Sequence, residues 1–179
     1  MSLPRFYKKL AQLMHKPLVA DSSVLIALDS RGSLEDRLVH WKDEGYEVVI
    51  PMAITKEVID EPERIAEEIR ERSPFLADKM KASAARIKSV IKQGLIQVEI
   101  VDYKKYSKVI DNVRKHLSTL EAKPEHMIKK GDTELIALII QLYYEYKEKV
   151  FVTTFDKGLL KALKPFSKEV DYQVLKVVE

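Results

Sequence analysis

The sequence has no cysteine among its 179 residues, which excludes a disulfide framework and a zinc site built from thiolates. Histidine is also scarce, and no two histidines have the spacing of metal ligands on one helix. The four are His15, His40, His116 and His126. Any metal bound here should therefore be a hard cation held by oxygen. The lack of cysteine also favours the cytoplasm as the compartment.

A long apolar run is missing from the first residues too. The stretch LPRFYKKLAQLMHK lacks the continuous apolar core of a signal peptide, and it is too short and too charged to cross a membrane. Its Phe6, Leu10 and Leu13 fall on one helical face, with lysines opposite. We therefore predict an amphipathic helix over residues 1–16, packed on the domain or on a second copy in a homodimer, and no contact with a membrane.

What the sequence does contain is typical of a globular protein: 46% of the residues are hydrophobic and 33% are charged, which suits one domain with its own core. The net charge of +3 is too small to establish a polyanionic partner. Lysine and arginine nevertheless cluster at residues 5–16, 79–92, 104–115 and 157–168. Charged helix faces are usually solvated surface, so these clusters alone assign no function.

The segment KPLVADSSVLIAL, from Lys16 to Leu28, places Asp21 inside an almost unbroken apolar run. We interpret the run as a strand covered on both faces, as in parallel sheets flanked by helices. An acid followed by two hydroxyl residues at the end of such a strand is typical of the edge where α/β sheets bind ligands. The alternative is that Asp21 caps a following helix together with Ser22 and Ser23.

Strands and helices alternate along the rest of the chain. Pro51 opens a short helix after the second strand, and we expect Pro62 to end it. The segment GDTELIALIIQLYYEYK is apolar around most of its circumference, which predicts a buried helix. A strand over Val150–Thr153 and a final edge strand in VDYQVLKVV follow. The pattern predicts an α/β fold, a three-layer α/β/α sandwich with a central, mostly parallel sheet of about five strands, as a single domain over residues 17–179.

Four acids recur just past strand ends or on the first turns of helices: Asp21, Glu57, Asp132 and Asp156. Carboxylates that converge at one sheet edge repel each other and raise each other's pKa, unless a divalent cation such as Mg²⁺ or Mn²⁺ lies among them. Each acid also has an ordinary explanation: Asp132 can start its helix, Glu57 can be solvated and Asp156 can belong to a turn. Glu134 is a weaker candidate because it points about 200° away from Asp132 on an ideal helix.

Together these segments resemble the PIN-domain family, which includes the VapC-type toxins. The matching motifs stand in the family's order between about Pro17 and Tyr172, and they are ADSSVLIAL, IPMAITKEVID, GDTELIAL and VTTFDKGLL. The resemblance implies a catalytic metal site with four acidic ligands, one occasional extra ligand and two supporting hydroxyls. The four ligands would be Asp21, Glu57, Asp132 and Asp156. Glu134 would be the occasional extra ligand, and Ser23 and Thr154 would be the supporting hydroxyls.

Two features depart from the family's pattern. Phe155 stands where the family often has a polar residue. The chain is also longer between Glu57 and Asp132 than in the small toxins, which predicts a helical, lysine-rich insertion at about residues 62–94.

The resemblance implies a Mg²⁺- or Mn²⁺-dependent endoribonuclease that hydrolyses phosphodiester bonds of single-stranded or structured RNA. Its setting would be either RNA processing and quality control or a toxin–antitoxin pair, in which an antitoxin protein is the partner. We predict that basic residues flanking the acids hold the phosphates: Lys79, Lys81, Arg86, Lys88 and Lys92. The alternative is a catalytically inactive PIN-fold module that binds RNA or a protein.

Overall fold

The computed structural model describes residues 16–177, which form a five-stranded sheet with every neighbouring pair of strands parallel. The strands are β1 (Lys16–Ala20), β2 (Tyr46–Pro51), β3 (Gln97–Glu99), β4 (Val150–Thr153) and β5 (Tyr172–Val174). They lie in the order β3-β2-β1-β4-β5, so the chain winds outwards from β1 in both directions. The predicted sheet is confirmed, with β5 at its edge.

Helices cover both faces of this sheet, which confirms the three-layer α/β/α sandwich. The α-helices are α1 (Ser22–Ser30), α2 (Leu34–Asp43), α3 (Met52–Thr55), α4 (Glu61–Ile69), α5 (Pro74–Lys92), α6 (Ser107–Glu121), α7 (Lys130–Tyr146) and α8 (Lys157–Leu163). A π-helical turn at Lys56–Asp60 joins α3 to α4. Short 3₁₀ turns lie at Glu125–Met127 and Lys164–Lys168.

The core runs through the two central strands. Leu18 and Val19 of β1 and Val150 and Val152 of β4 are fully buried, because helices cover the sheet on both sides. The α7 helix packs against β1, β2 and β4 and is buried around most of its circumference, as its sequence predicts. This packing fixes the first turn of α7 beside the carboxyl ends of the strands.

The segment after Asp21 is a correction to the sequence interpretation. We predicted one strand through the apolar run, but β1 ends at Ala20 and the serines begin α1. Val24, Leu25 and Leu28 of α1 are buried, whereas Ile26 is half exposed. A buried helix and a buried strand have similarly apolar sequences over a few residues, so periodicity alone could not separate them.

The helix after β2 is a second correction. We expected Pro62 to end it, but helical structure continues from α3 through the π-helical turn into α4. Pro62 lies at the start of α4, directly after the wider π-helical turn. A proline is tolerated at the start of an α-helix because an N–H there has no i→i−4 partner within that helix.

Most of the predicted N-terminal helix, residues 1–15, lies outside the described residues, while Lys16 begins β1. The stretch predicted as an insertion, 62–94, contains most of α4 and all of α5, and these two helices pack against each other. Among the helices of the described residues, none combines the length and the apolar character needed to cross a membrane.

Candidate metal centre

The carboxyl ends of β1, β2 and β4 lie side by side, and an acid follows each of them. Asp21 follows β1, Glu57 lies in the π-helical turn after β2, and Asp156 follows β4. Asp132 reaches the same edge from the first turn of α7. The topology therefore gathers four acids that are far apart in sequence.

Asp21 is buried, with 4% of its surface exposed, and it is the most heavily hydrogen-bonded of the four. Its Oδ1 accepts a hydrogen bond from the Ser22 backbone N–H at 2.8 Å, so it caps α1. Its Oδ2 accepts from Ser23 Oγ at 2.8 Å and from Thr154 Oγ1 at 2.9 Å. The sequence left open whether Asp21 caps a helix or belongs to a binding site at the sheet edge. The structure shows that one residue can do both.

The two predicted supporting hydroxyls also connect β1 to the loop after β4. Ser23 Oγ accepts a hydrogen bond from the Phe155 backbone N–H at 3.1 Å, and Thr154 Oγ1 accepts from the Asp156 backbone N–H at 2.9 Å. These bonds hold the loop beside Asp21. The unusual Phe155 contributes its backbone here, and 38% of the residue is exposed.

Glu57 lies against the backbone of Gly131 at the start of α7. A Cβ at position 131 would overlap Glu57 Oε1, so Glu57 can occupy this position only because residue 131 has no side chain. Burial raises the pKa of Glu57, a hydrogen bond from the Ser22 side chain lowers it, and the charge of Asp21 raises it. Ser22 therefore contacts the site as well as Ser23, which sequence reasoning had favoured.

Asp132 shows most directly that the acids face one another. Burial is the largest cause that raises its pKa, and the negative charges of Asp21, Asp156 and Glu57 raise it further. Together they bring the pKa to about 7. Asp156 caps α8, with Oδ1 accepting from the Gly158 backbone N–H at 2.8 Å. The four predicted acids thus share one electrostatic environment.

Glu134, on the same helix as Asp132, makes its own set of contacts. It is buried, and both of its carboxylate oxygens accept hydrogen bonds: Oε2 from the Ala53 backbone N–H at 2.8 Å and Oε1 from the Tyr103 hydroxyl at 2.7 Å. Ala53 lies in the first turn of α3, where backbone N–H groups lack helical partners. Glu134 therefore fixes the start of α3 to α7, and its role as an extra metal ligand stays a prediction.

The donor set suits a hard divalent cation, because all four acids offer carboxylate oxygen. Across residues 16–177, however, no three ligand-type side chains converge on one metal-sized point. The acids are nevertheless close enough to shift each other's pKa values.

Four of the five predicted phosphate-binding cations of α5 already have partners. Arg86 donates two hydrogen bonds to the buried Asp29, from Nε at 2.6 Å and from Nη2 at 3.1 Å. Lys88 pairs with Glu63 and Lys81 lies 3.8 Å from Glu67, both on α4. The other two also lie on α5: Lys79, 4.7 Å from the centre of the Phe75 ring, and the exposed Lys92.

Different cations lie next to the acids, and sequence reasoning missed them. A groove of about 720 Å³ beside Glu57 is lined by four of them. They are Lys56, Arg64, Lys129 and Lys130. The signal was present in the sequence, since Lys56 directly precedes Glu57 and the pair 129–130 directly precedes the GDTE motif.

Two comparisons with known proteins complete this description. A search of curated proteins finds no match. The model of the halobacterial PIN domain matches residues 14–177, nearly the whole chain, and this span includes all the acids described above. PIN domains are in general nucleases and typically use divalent metals. Fold, topology and family model agree, and the chain belongs to the PIN-domain family.

Proposed function

We propose that this PIN protein is an endoribonuclease that depends on Mg²⁺ or Mn²⁺ and hydrolyses phosphodiester bonds of single-stranded or structured RNA. The observation that carries the proposal is the convergence of four acids at one sheet edge, where burial and then repulsion from the other three acids raise the pKa of Asp132 to about 7. Such repulsion destabilises a fold unless a bound cation offsets it. A cluster of acids of this kind is therefore expected where the protein binds a cation.

Asp21, Glu57, Asp132 and Asp156 would hold the cation, which when bound lowers the pKa of a water and neutralises charge on the attacked phosphate. Ser23 and Thr154 keep Asp21 oriented through the bonds described above. Lys129 lies close enough to lower the pKa of Glu57 and would also attract phosphate. Gly131 lets Glu57 approach the backbone of α7.

The test is cleavage of a panel of RNAs by the purified protein in Mn²⁺. We expect Asp132→Asn to abolish cutting, because the amide removes a ligand and keeps the shape of the side chain. Asp43→Asn is the matched control, since Asp43 is exposed beside the amino end of β2, at the opposite edge of the sheet. Equal cutting by parent and Asp132→Asn would refute the proposed nuclease.

A second candidate is a PIN-fold module that binds RNA or a protein without chemistry. It is supported by the spacing of the acids, which in residues 16–177 form no closed ligand group, and by the exposed Phe155 beside the last acid. Calorimetric titration with Mn²⁺ separates the two candidates. A heat of Mn²⁺ binding that is seen with the parent protein and is lost in Asp132→Asn supports the nuclease. The absence of this heat with the parent protein supports the module.

Two biological settings fit the proposed activity. An antitoxin partner would make the protein a toxin, and a short neighbouring reading frame for a DNA-binding protein would support this. Without such a frame, RNA processing or quality control is favoured. A homodimer through residues 1–15 is a separate proposal. It predicts that removing them halves the mass seen by light scattering.

A further inference from the structure

A second groove also borders the first turn of α7. It encloses about 540 Å³, and Tyr103 and Thr133 are among its lining residues. Its charged and titratable residues are Arg114, Glu125, His126 and Lys130. Lys130 lines both this groove and the one beside Glu57, while Thr133 directly follows Asp132. The two grooves therefore share Lys130, and cations outnumber acids in the second.

Tyr103 is held in an unusual way for a surface tyrosine. Its hydroxyl donates to the buried carboxylate of Glu134 at 2.7 Å, while 40% of the residue remains exposed. The amine of Lys130 lies 5.7 Å from the centre of its ring. The ring is therefore anchored at its hydroxyl end, borders the groove, and has a cation over it.

We propose that this groove binds an unpaired segment of nucleic acid, with one base stacked on Tyr103 and phosphates held by Lys130 and Arg114. Aromatic rings beside cations are how proteins bind single strands, because every base offers a flat face and every nucleotide a charge. A base in a duplex cannot stack in this way, since its faces are covered by its neighbours. That the strand is RNA rests on the proposed function.

The surface of α7 provides its own control in Tyr144. This tyrosine is also 40% exposed, and the amine of Lys147 lies 5.2 Å from the centre of its ring. It stands near the C-terminal end of α7, roughly 20 Å along the helix from Lys130. Exposure and a neighbouring cation are thus the same in both tyrosines. The location differs, and of the two tyrosines only Tyr103 lines the groove that shares Lys130 with the groove beside Glu57.

The experiment measures the affinity for a fluorescein-labelled single-stranded RNA by anisotropy, in EDTA so that no cutting occurs. We expect Tyr103→Leu to raise Kd about tenfold, within the range that one stacked base provides. Tyr103→Phe keeps the ring and should stay within threefold of the parent. Tyr144→Leu should leave Kd unchanged.

A second readout is the dependence of binding on salt. Each phosphate contact on a single strand contributes a slope of about 0.7 in a plot of log affinity against log salt concentration. Lys130→Gln should reduce the slope by this amount, whereas Lys147→Gln should not change it. Equal slopes for Lys130→Gln and the parent would overturn the assignment of Lys130 to a phosphate.

Three results would overturn the stacking inference. They are an unchanged Kd for Tyr103→Leu, an equal loss in Tyr103→Phe, and equal affinity of the parent for a duplex of the same sequence. Failure of the proposed function looks different: the parent would not cut RNA in Mn²⁺, yet would still bind it through Tyr103. If the parent does cut, Tyr103→Leu should raise KM and leave kcat near its original value. A fall in kcat with an unchanged KM contradicts the inference.

Discussion

Two buried acidic regions of this protein have opposite surroundings. At the junction of α1 and α5, the carboxylate of Asp29 accepts hydrogen bonds from Ser83 Oγ at 2.6 Å and from Arg86. At the sheet edge, Asp132 faces three other acids, and its pKa rises to about 7. The first region satisfies its charge internally, as packing requires, while the second leaves charge to be satisfied by a ligand. Substitutions at each region test this contrast.

The largest effect is expected from Gly131→Ala. Its Cβ would overlap Glu57 Oε1, so Glu57 must move while the helix stays in place. Displacing a reactive group by about 1 Å can reduce a rate by roughly a hundredfold, so we expect a loss of that order in RNA cleavage. Cleavage rate and Mn²⁺ affinity are the measurements. In a Glu57→Gln background the same substitution should add little, and a full additive loss would contradict the mechanism.

The junction is tested by Arg86→Met, which keeps most of the aliphatic stem and removes the charge. The buried Asp29 then loses its cation, and we expect the free energy of unfolding to fall by about 2 kcal/mol. Lys88→Met is the matched control, since its partner Glu63 is more exposed and the loss should stay below about 1 kcal/mol. Urea denaturation measures both. Equal losses would mean that the burial of Asp29 does not matter.

At the sheet edge, removing a charge should stabilise the protein, because the surroundings of Asp132 disfavour its charged form. The effect should depend on pH. The pKa of Asp132 is about 7 in the folded protein and near 3.8 in an unfolded chain. Between these values the unfolded chain holds fewer protons, so stability without metal falls as pH rises from about 4 to 7. We expect Asp132→Asn to flatten this fall and to stabilise the metal-free protein at pH 7 by on the order of 2 kcal/mol.

The measurement for this prediction is urea denaturation in EDTA at several pH values. Below pH 4 the parent and Asp132→Asn should be similar in stability, since the carboxyl is protonated in both states. Adding Mn²⁺ at pH 7 should stabilise the parent and leave the variant unchanged. Parallel stability curves between pH 4 and pH 7 would show that Asp132 is not destabilised by its neighbours.

The smallest effect concerns a single cation at the rim. Lys129 lines the groove beside Glu57, and Lys129→Gln should raise KM for RNA about threefold, as expected for one exposed charge. Lys149→Gln is the control, because Lys149 is exposed directly before β4, at the opposite edge of the sheet. Salt should reduce the difference between the two variants. A threefold rise that persists in high salt would argue against a charge effect.

The sequence was most informative for acids whose position is decided by the order of strands and helices. Asp21 and Asp156 follow buried strands, and parallel strands place their carboxyl ends at one edge, so their proximity could be expected from the pattern alone. The position of Asp132 could be predicted because it lies at the start of a helix that is apolar on most of its surface. These positions depend on local periodicity and on sheet topology, both of which are visible in the sequence.

Positions that depend on packing between helices could not be predicted in the same way. The partners of Arg86 and Lys88 are decided by how α5 packs on α1 and α4. The contacts of Glu134 with Ala53 and Tyr103 join segments that are far apart in sequence. Neither a spacing nor a composition rule reports such contacts, because they depend on the relative rotation of packed elements.

The π-helical turn at Lys56–Asp60 carries one more residue than an α-helical turn. One residue corresponds to about 100° of rotation, so this extra residue sets the phase between Glu57, which faces Gly131, and Ala66, which is buried in α4. A single-codon deletion within the turn would break that phase while leaving every acid in the sequence. Such a chain would pass a search for the four carboxylates and still lack their arrangement. In this protein, an intact motif and an intact site are therefore separate properties.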